Sequence, residues 1–579
     1  YPGAPSNTVP LHPGSPQCAS ASEHILITDS SHLPEELKVF LETSPTTHIP
    51  QLRSLQDDIV TFRLAVETAR DQAINAHAVN RDHILHWTSL YVHDVTQALI
   101  QADLEVRDTD IPIPNTAWTA LRNHENTLIF IPVDKIRTRA AGVCPHHYRA
   151  QCFQHILGCP YYEISNVTVQ QATDLCVSTF SRLGHAHTPS FQPRSLGYGY
   201  GSIKLHKALH PIRFIVAMPN ELSTIVDIML CRLLQFILPL LYAQARILLP
   251  FLCQFIYYPL STEDVVRTLP PHATSVFAVD ATKLFESPPF SLVLVALLHL
   301  LSLAWQGRPQ NSYAHYIRIG RVGGRFTWTE QPHFQTSNFF HINLDKAYTL
   351  LCLVLQLVFF TLGKRILRQK QGVPIGGHAS PLIAHLYLFF IELLFFLTYL
   401  DELTQYAANG QFRWYRYVDD ILMVGLPKAF IENTAKPFFR RFGIELNSTN
   451  DNPNQANYLE ATIRINQYGE VNYFHYSKRD TLGLIIPLLP DFRNNCLPNW
   501  IFKNTVYGRF RAFLLLCKDP SDAVDRILLL AAHLIRQRHY PWEIVDSALE
   551  KLFSKHTRAY WIPSLLRRLL NLRMNELKP

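Results

Sequence analysis

Tyr415-Arg-Tyr-Val-Asp-Asp-Ile-Leu-Met-Val424 is the stretch from which the fold follows. Two short runs of strand-forming residues meet at two adjacent acids, Asp419 and Asp420, which indicates a β-hairpin. Neighbouring carboxylates repel each other and are costly to bury, so packing alone does not explain why a hydrophobic hairpin contains both. A pair of divalent cations removes that cost, because Mg²⁺ binds through carboxylates and substrate phosphates, and two such ions clamp both oxygens of a phosphoryl transfer. An exposed turn is the alternative for an isolated Asp pair, but these flanks are too apolar for one.

The composition describes a folded chain with a modest basic excess. Its 579 residues leave room for several domains, and 47% hydrophobic against 17% charged residues exclude a disordered protein. The formal charge of +7 is compatible with a nucleic-acid partner without proving one. The 10 Cys form no CxxC pair, which favours reduced intracellular thiols. Residues 1–20 lack the basic-then-apolar layout of a signal peptide.

Long apolar runs raise a multi-pass membrane protein as an alternative. Arg232 and Arg246 interrupt the first run, and the last carries His385 and Glu392 near its middle. Core helices of a large α+β domain explain these interruptions better, so we expect no membrane partner. The runs are 225–260, 290–305, 347–362 and 382–400.

The first part of the chain contains few residues that indicate a chemical function. Residues 1–50 resemble a loose leader, and residues 51–125 have the spacing of a helical N-terminal extension of unreadable role. Six Cys and His residues then follow in one short segment. A zinc site is one interpretation, but the spacings match no usual ligand pattern, and ordinary buried Cys with surface His is the preferred one. These residues are Cys144, His146, His147, Cys152, His155 and Cys159.

A cationic hairpin is predicted over residues 198–216. Two strands joined by a turn would set Lys204, Lys207 and Arg213 on a common surface. Such a surface suits a triphosphate or a nucleic-acid backbone, with Arg able to contact phosphate through two hydrogen bonds. Three merely solvated cations are the alternative.

A third acid is needed to complete a metal site, and Asp280 is the preferred candidate. It ends a buried strand that starts at Ser275 and that we expect to turn into a helix, and Phe285 lies five positions later, where an aromatic ring could lie under the sugar of a nucleotide. Asp345 also follows a short apolar run and competes for the role, but five residues on it offers Leu350 instead of an aromatic.

A glycine-rich loop, Gln371-Gly-Val-Pro-Ile-Gly-Gly377, precedes a long apolar helix that should begin near Ser380-Pro381. Its glycines, Gly372 and Gly376 among them, allow backbone to approach a ligand closely, as a loop beside a templating base pair requires. A simple tight turn before a core helix is the alternative. The tail, residues 500–579, reads as helical and basic, which suits either a bundle gripping a duplex by its phosphates or a solvated basic face.

Taken in order, these motifs resemble those of a reverse transcriptase, and more narrowly of the Penelope-like retroelement reverse transcriptases, which are relatives of telomerase catalytic subunits. The resemblance extends over residues 125–550 or so. It implies an α+β fold, the right-hand polymerase of fingers, palm and thumb, behind the helical N-terminal extension. The implied domains are fingers at 126–274, palm at 275–480 and helical thumb at 481–579.

The resemblance also implies roles for individual residues. Two Mg²⁺ ions, or Mn²⁺ in their place, would be held by one group of acids, and a second group would contact the nucleotide. Val418 would lie near the primer terminus. The metal-binding and catalytic residues would be Asp280, Asp419 and Asp420, and the nucleotide-binding residues would be Lys204, Lys207, Arg213, Phe285, Gln371, Gly372 and Gly376.

The expected activity is RNA-templated DNA synthesis, with an RNA template, a DNA primer and deoxynucleoside triphosphates as partners, inside the cell and in the nucleus. No protein partner is readable. Gly376-Gly-His-Ala-Ser380 departs from the Gly-Ser-Pro-Leu-Ser more usual in the family, and no endonuclease motif follows the thumb, so the chain is either cut short or like the endonuclease-lacking branch. A non-catalytic nucleic-acid scaffold of the same fold and a membrane protein stay open as alternatives.

Overall fold

A computed structural model describes the part of the chain that carries these motifs. It divides into two compact units: the first comprises Tyr1–His147, Leu482–Leu515 and Asp519–Pro579, and the second comprises Tyr148–Thr481 and Leu516–Lys518. The domain boundaries expected from the sequence stay a prediction. The described residues are 26–27, 37, 66, 92–93, 119–120, 123, 129–134, 136–158, 160–180, 196–204, 211–217, 222–259, 261–308, 315–320, 326–330, 339–363, 365–374, 376–477, 492, 499–555 and 562–578.

The chain mixes helices and sheets. Its strands, in chain order, are β1 (Leu26–Ile27), β2 (Ile129–Val133), β3 (Ile136–Val143), β4 (Tyr162–Ser165), β5 (Gly197–Ile203), β6 (Ile212–Ala217), β7 (Ile256–Tyr257), β8 (Val276–Thr282), β9 (Tyr316–Gly320), β10 (Phe326–Thr329), β11 (Phe339–Ile342), β12 (Phe359–Leu362), β13 (Arg365–Gln369), β14 (Arg413–Tyr417), β15 (Asp420–Val424), β16 (Glu445–Ser448), β17 (Gln455–Tyr458), β18 (Ala461–Ile465) and β19 (Val471–His475). Its α-helices are α1 (Pro145–Leu157), α2 (Val169–Phe180), α3 (Leu222–Leu248), α4 (Thr262–Thr268), α5 (Phe290–Gln306), α6 (Leu344–Gln356), α7 (Ser380–Thr398), α8 (Leu400–Ala408), α9 (Lys428–Phe430), α10 (Lys436–Arg440), α11 (Asn499–Leu516), α12 (Pro520–Arg538), α13 (Trp542–Lys555) and α14 (Ser564–Asn575).

The second unit is built on a sheet in which β8 and β15 are central. Within the described residues its strand order is β16-β8-β15-β14-β7, antiparallel except for the β14–β7 pair. Both faces of the two central strands are buried: Phe277 and Val279 face a layer of helices, while Val276 and Ala278 face a smaller sheet. Strands covered on both sides read as near-continuous apolar runs, which is why β8 and β15 were recognisable in the sequence.

The helical layer consists of α3, α5, α6 and α7, which form one apolar core with the underside of the sheet. Helix α7 is apolar around almost its whole circumference, and Leu386, Phe389 and Phe395 are each no more than 1% exposed. A helix that is hydrophobic all round belongs in the centre of a large domain.

Two helices in the described part are long and apolar enough to cross a membrane by length and composition, and a core helix passes the same test. One is α7, and 61% of its apolar window is buried inside the fold. The other is the stretch Asp227–Leu248 of α3, and 39% of its apolar window is buried. Their packing on the sheet is the arrangement that the sequence predicted for these runs.

The opposite face of the central sheet is covered by the antiparallel sheet β17-β18-β19 and by α4. Tyr458 at the end of β17 is buried in this layer, and its hydroxyl donates to the Asp420 carbonyl at 3.1 Å. The small sheet therefore supports the start of β15 directly.

Two further sheets flank this arrangement in the second unit. One has the strand order β10-β9-β11 and lies in the chain between α5 and α6. In the other, β6 pairs with β5, followed by β12, β13 and β4. Helix α1 packs on this second sheet through Cys152 and Ile156.

The first unit holds β1, β3 and β2 as antiparallel neighbours, together with the helices α12 to α14 and most of α11. Asp519 caps α12 through the backbone N–H of Ser521, and His539 ends it in the left-handed conformation at φ +56°. The helical pattern predicted for the tail is present.

We predict that Phe395→Ala strongly destabilises the second unit. Phe395 is fully buried, and its ring lies within 6.1 Å, between centroids, of six other rings. Removing it should cost about 3–5 kcal/mol of unfolding free energy, measured by urea denaturation. Leu397→Ala on the same helix, where the side chain is 43% exposed, is the control and should change the value by about 0.5 kcal/mol. Equal losses in the two variants would contradict this account of the core.

Candidate active site

The β14–β15 hairpin and β8 bring two of the predicted acids together. In the antiparallel pairing of β15 with β8, Asp420 lies directly opposite Asp280. Residues in such positions have Cβ atoms about 4.5–5.5 Å apart and share one face of the sheet. Two carboxylates that are both half-buried therefore face the same space at the end of the central sheet. This position combines a rigid backbone with access from outside.

The third acid, Asp419, lies in the turn beside them. Tyr417 pairs with Asp420, so Val418 and Asp419 form a two-residue hairpin loop. The Asp419 carbonyl accepts the backbone N–H of Ala281 at 2.8 Å, which fastens the loop to β8 one residue beyond Asp280. The loop is thus joined by its backbone to the strand that carries the other carboxylate.

The turn itself is strained. Val418 has φ +54°, in the left-handed region that is a genuine outlier for a β-branched residue. The first position of a two-residue hairpin loop normally takes Gly when φ is positive, and such strain costs about 1–3 kcal/mol. Strain of this kind persists only where the surroundings hold the backbone, and it concentrates at functional sites.

A short chain of hydrogen bonds orients Asp280. Thr282 Oγ1 donates to Asp280 Oδ2 at 2.9 Å, and Asn447 Nδ2 donates to Thr282 Oγ1 at 2.8 Å. Asn447 lies on β16, opposite Asp280 on the other side of β8. The strand continues past Asp280 to Thr282 and then enters a turn, so the prediction that the strand ends at Asp280 is wrong. Pairing with β16 extends the strand, and the following helix begins only at Phe290.

The acids form an open platform and not a closed cage. Among the residues that the structure describes, no three His, Cys, Asp or Glu side chains are arranged as a metal-binding group. Like charges directly opposite each other destabilise a sheet, so the Asp280–Asp420 pair favours a cation between them. Mg²⁺ is bound through one or two carboxylates and completes its shell with water and substrate phosphates. The donor set therefore fits Mg²⁺ held jointly with a substrate.

The glycine-rich loop lies against the turn that follows β8. Gly372 N donates to the Pro288 carbonyl at 3.0 Å, and Val373 N donates to the Phe285 carbonyl at 2.5 Å. Gly372 has φ +80°, and a side chain there would overlap the Phe285 carbonyl oxygen. The Gln371 side chain donates to the Ser287 carbonyl, so Gln371 secures the loop in this structure.

The other end of the loop touches the β5–β6 hairpin and the start of α7. Gly376 has φ +125°, and a methyl group at this position would overlap the Val216 carbonyl oxygen of β6. Asp227 on α3 accepts the backbone N–H groups of His378 and, at 3.0 Å, of Ala379. Burial raises the pKa of Asp227, while these N–H groups oppose the shift. Asp227 thus caps α7 and fixes the end of the loop.

The cationic hairpin is present in part. Arg213 on β6 lies opposite Ser202 on β5, and Lys204 N donates to the Pro211 carbonyl at 3.0 Å. Because Lys204 follows Ser202 by two residues, Lys204 and Arg213 share one face, and both side chains are half-buried. Lys207 lies outside the described residues. Strand β6, which carries Arg213, is the strand that Gly376 touches.

Phe285 is half-buried in the turn between β8 and α5. The next residue, Glu286, is 8% exposed, and its carboxylate lies 3.0 Å from His155 Nε2 on α1. The His155 ring also packs 5.7 Å from Phe214. The turn that carries Phe285 is therefore anchored to a helix distant in sequence.

The competing candidates lie elsewhere. Asp345 is exposed in the first turn of α6, after the N-cap residue Asn343, and lines a cavity of about 690 Å³ outside the central sheet. Of the residues considered as zinc ligands, Cys144 and Cys152 are buried and form no disulfide, and His155 pairs with Glu286. Cys159 is outside the described part of the chain.

Three polar residues of the site, of which Asp227 and Glu392 are buried and His385 is half-buried, were not identified from the sequence as parts of it. Asp227 caps α7, while His385 and Glu392 contact the hairpin strand β14. The available signal was an ionisable residue inside an otherwise apolar helix, which in a core demands a partner. His385 and Glu392 are seven residues apart, and two helical turns place them on one face.

We predict that Gly376→Ala displaces the loop from β6, because the new methyl group has no space beside Val216 and the backbone conformation is strained for Ala. The unfolding free energy should fall by about 1–3 kcal/mol, measured by urea denaturation. Gly508→Ala is the matched control, since Gly508 lies in α11 with open space around it and should gain about 0.5–1 kcal/mol. Similar behaviour of the two variants would contradict the close approach at Gly376.

Comparison with known proteins adds a distant likeness of fold. No protein-family model matches the chain, and no curated protein does. Among solved structures, telomerase from Candida albicans bound to a fragment of telomeric RNA matches with a TM-score of 0.49 and 10% identity over 84% of this chain and 75% of its own. Apo telomerase from Candida tropicalis matches with 0.44 and 10% over 90% and 79%. The BmCPV RNA-dependent RNA polymerase matches with 0.32 and 11% over 67% and 29%. At these scores the likeness carries no functional argument, which comes from the site alone.

Proposed function

We propose that the chain is an RNA-directed DNA polymerase of the kind that Penelope-like retroelements encode, with a right-hand arrangement of fingers, palm and thumb. The observation that carries the proposal is the register of β8 and β15, in which Asp280 and Asp420 face each other across neighbouring strands. The ordered motifs of the sequence agree with it: a cationic hairpin, a strand with an acid, a glycine-rich loop and an acidic hairpin.

The proposed reaction is nucleotidyl transfer. The primer 3′-hydroxyl attacks the α-phosphate of an incoming deoxynucleoside triphosphate, a new phosphodiester bond forms, and pyrophosphate leaves. Asp280 and Asp420, with Asp419 beside them, would hold two Mg²⁺ ions. When bound, these ions would activate the hydroxyl and neutralise charge on the leaving oxygens. Catalysis is then mostly positioning and electrostatics.

The remaining parts of the site would bind the nucleotide and the template. Lys204 and Arg213 share a face of the β5–β6 hairpin and suit the triphosphate. Phe285 would exclude a sugar 2′-hydroxyl. The loop from Gln371 to Gly377 would border the base pair, since its backbone already joins the Phe285 turn to the strand of Arg213.

We predict that Asp280→Asn, Asp419→Asn and Asp420→Asn each abolish primer extension on an RNA template with deoxynucleotides and Mg²⁺. Losing one electrostatic partner of the transition state should lower the rate by at least about 10²–10³-fold. The midpoint temperature of thermal unfolding should be unchanged or slightly higher, because Asn relieves the repulsion between facing carboxylates.

Asp345→Asn is the matched control for these variants, as Asp345 is the competing acid and is exposed on α6. Its extension rate should equal that of the wild type. Extension retained by Asp280→Asn and lost by Asp345→Asn would reverse the assignment. A wild-type chain that binds primer–template but never extends it would favour the non-catalytic scaffold.

Phe285→Ala tests the proposed sugar contact. We expect the variant to incorporate ribonucleotides more readily, because a methyl group leaves the space that the ring would deny to a 2′-hydroxyl. The measurement is the ratio of ribonucleotide to deoxynucleotide incorporation, so deoxynucleotide extension serves as the internal control. An unchanged ratio would remove Phe285 from the nucleotide site.

A further inference from the structure

A cluster of buried and half-buried polar side chains lies beneath the acidic hairpin and has no role in the mechanism above. It joins α3, α7, β14 and the segment after β7, all within the second unit. We call it the Arg416 cluster. Its members are Arg416, Glu392, His385, Trp414, Tyr242 and Tyr258.

An ion pair without solvent contact forms the centre of the Arg416 cluster. Arg416 Nε donates to Glu392 Oε2 at 2.7 Å, and both side chains are 0% exposed. The second oxygen of Glu392 accepts Trp414 Nε1–H at 2.8 Å. Trp414 and Arg416 are two residues apart on β14 and so point to the same face, towards α7. One carboxylate thus holds two side chains of the hairpin strand.

His385 fixes the other end of the guanidinium. Arg416 Nη1 donates to His385 Nδ1 at 2.8 Å, and Arg416 Nη2 donates to the His385 carbonyl at 3.2 Å. Because a guanidinium has only donors, Nδ1 must accept, and the imidazole is neutral with its proton on Nε2. Burial and the adjacent guanidinium also lower the pKa of His385 well below 6.5. Nε2–H then donates to the Tyr242 hydroxyl at 2.7 Å.

The Arg416 cluster reaches the strained turn through one further bond. Arg416 Nη1 also donates to the Val418 carbonyl at 3.3 Å. Val418 is the residue with φ +54°, and its carbonyl belongs to the peptide that leads into Asp419. We propose that Arg416, held by Glu392 and His385, is a positioning residue that keeps the Val418 turn in its left-handed form and thereby aims Asp419 and Asp420. This inference rests on the proposed function only in taking those acids as metal ligands.

The chemistry of the Arg416 cluster favours positioning over stability. Replacing a buried ion pair by apolar residues of similar volume is often neutral or stabilising, so packing alone gives no reason to bury these charges. What an apolar pair cannot do is donate directed hydrogen bonds to a carbonyl. Arg is also required in particular, since its rigid fork contacts Glu392, His385 and Val418 at once, whereas a Lys ammonium is a single point charge.

The test uses two substitutions on the same strand. Arg416→Lys keeps the charge and removes the fork. Arg413→Lys is the matched control, because Arg413 lies on β14 and bonds the carbonyls of Thr268, Gly410 and Phe412, away from the turn. Two readouts need no catalysis: hydrogen exchange of the hairpin peptide 415–424, and Mn²⁺ binding to the full chain by electron paramagnetic resonance. Primer extension is a third readout.

The proposal expects Arg416→Lys to speed exchange in peptide 415–424 and to weaken Mn²⁺ binding and extension by about 10–100-fold, the usual effect of losing a partner that orients metal ligands. Arg413→Lys should match the wild type in all three. If Arg416→Lys does not fold, the apolar pair Arg416→Met with Glu392→Met takes its place, and faster exchange in that folded variant supports the proposal.

The proposal is overturned if the folded variant exchanges like the wild type at residues 415–424. It is equally overturned if neither variant folds, since the Arg416 cluster would then be a requirement for folding itself. The wild-type protein in the same experiments tests the proposed function separately. A wild type that neither binds Mn²⁺ nor extends primers, while Arg416→Lys still loosens the hairpin, removes the polymerase and leaves the positioning role in place.

Discussion

The pairing of β8 with β15 places two carboxylates opposite each other, and the remainder of the site depends on it. Like charges in facing positions repel each other, so the apolar residues on either side maintain the arrangement. Ile421 and Met423 pack against the helices, and Leu422 and Val424 against the small sheet. A slip of one residue would exchange these faces and move Asp420 away from Asp280. The core therefore sets the geometry of the acids.

The features of the site that depend only on the local pattern of residues could be predicted from the sequence. The β15 run and the strand ending near Asp280 are continuous apolar stretches interrupted by an acid, and buried strands have few other signatures. The start of α7 at Ser380 follows from the glycine-rich loop and the Pro that comes next. The length of β8 beyond Asp280 could not be predicted from the sequence. Strand β16, more than 160 residues later in the chain, extends β8 by pairing with it.

The partners of buried polar residues could not be predicted, because a pattern shows that a polar residue is out of place without showing what it meets. His385 and Glu392 argued against a membrane-spanning α7, yet nothing near them in the chain indicated Arg416, which is 24 residues from Glu392. Asp227 is a similar case, since the N–H groups that it accepts lie about 150 residues later. Tertiary hydrogen bonds of this kind appear only when the elements are assembled.

Helix α7 connects the two halves of the site. Its N-terminus is capped by Asp227 directly after the glycine-rich loop, and its His385 and Glu392 hold the strand that leads into the acidic turn. From Ala379 to His385 the helix rises by about 9 Å, at 1.5 Å per residue. A packed helix transmits a shift almost rigidly, so a change at the loop would be felt at Arg416 and through it at Val418. The long apolar run that first raised the question of a membrane is thus the part that fixes the distance between the glycine-rich loop and the carboxylates.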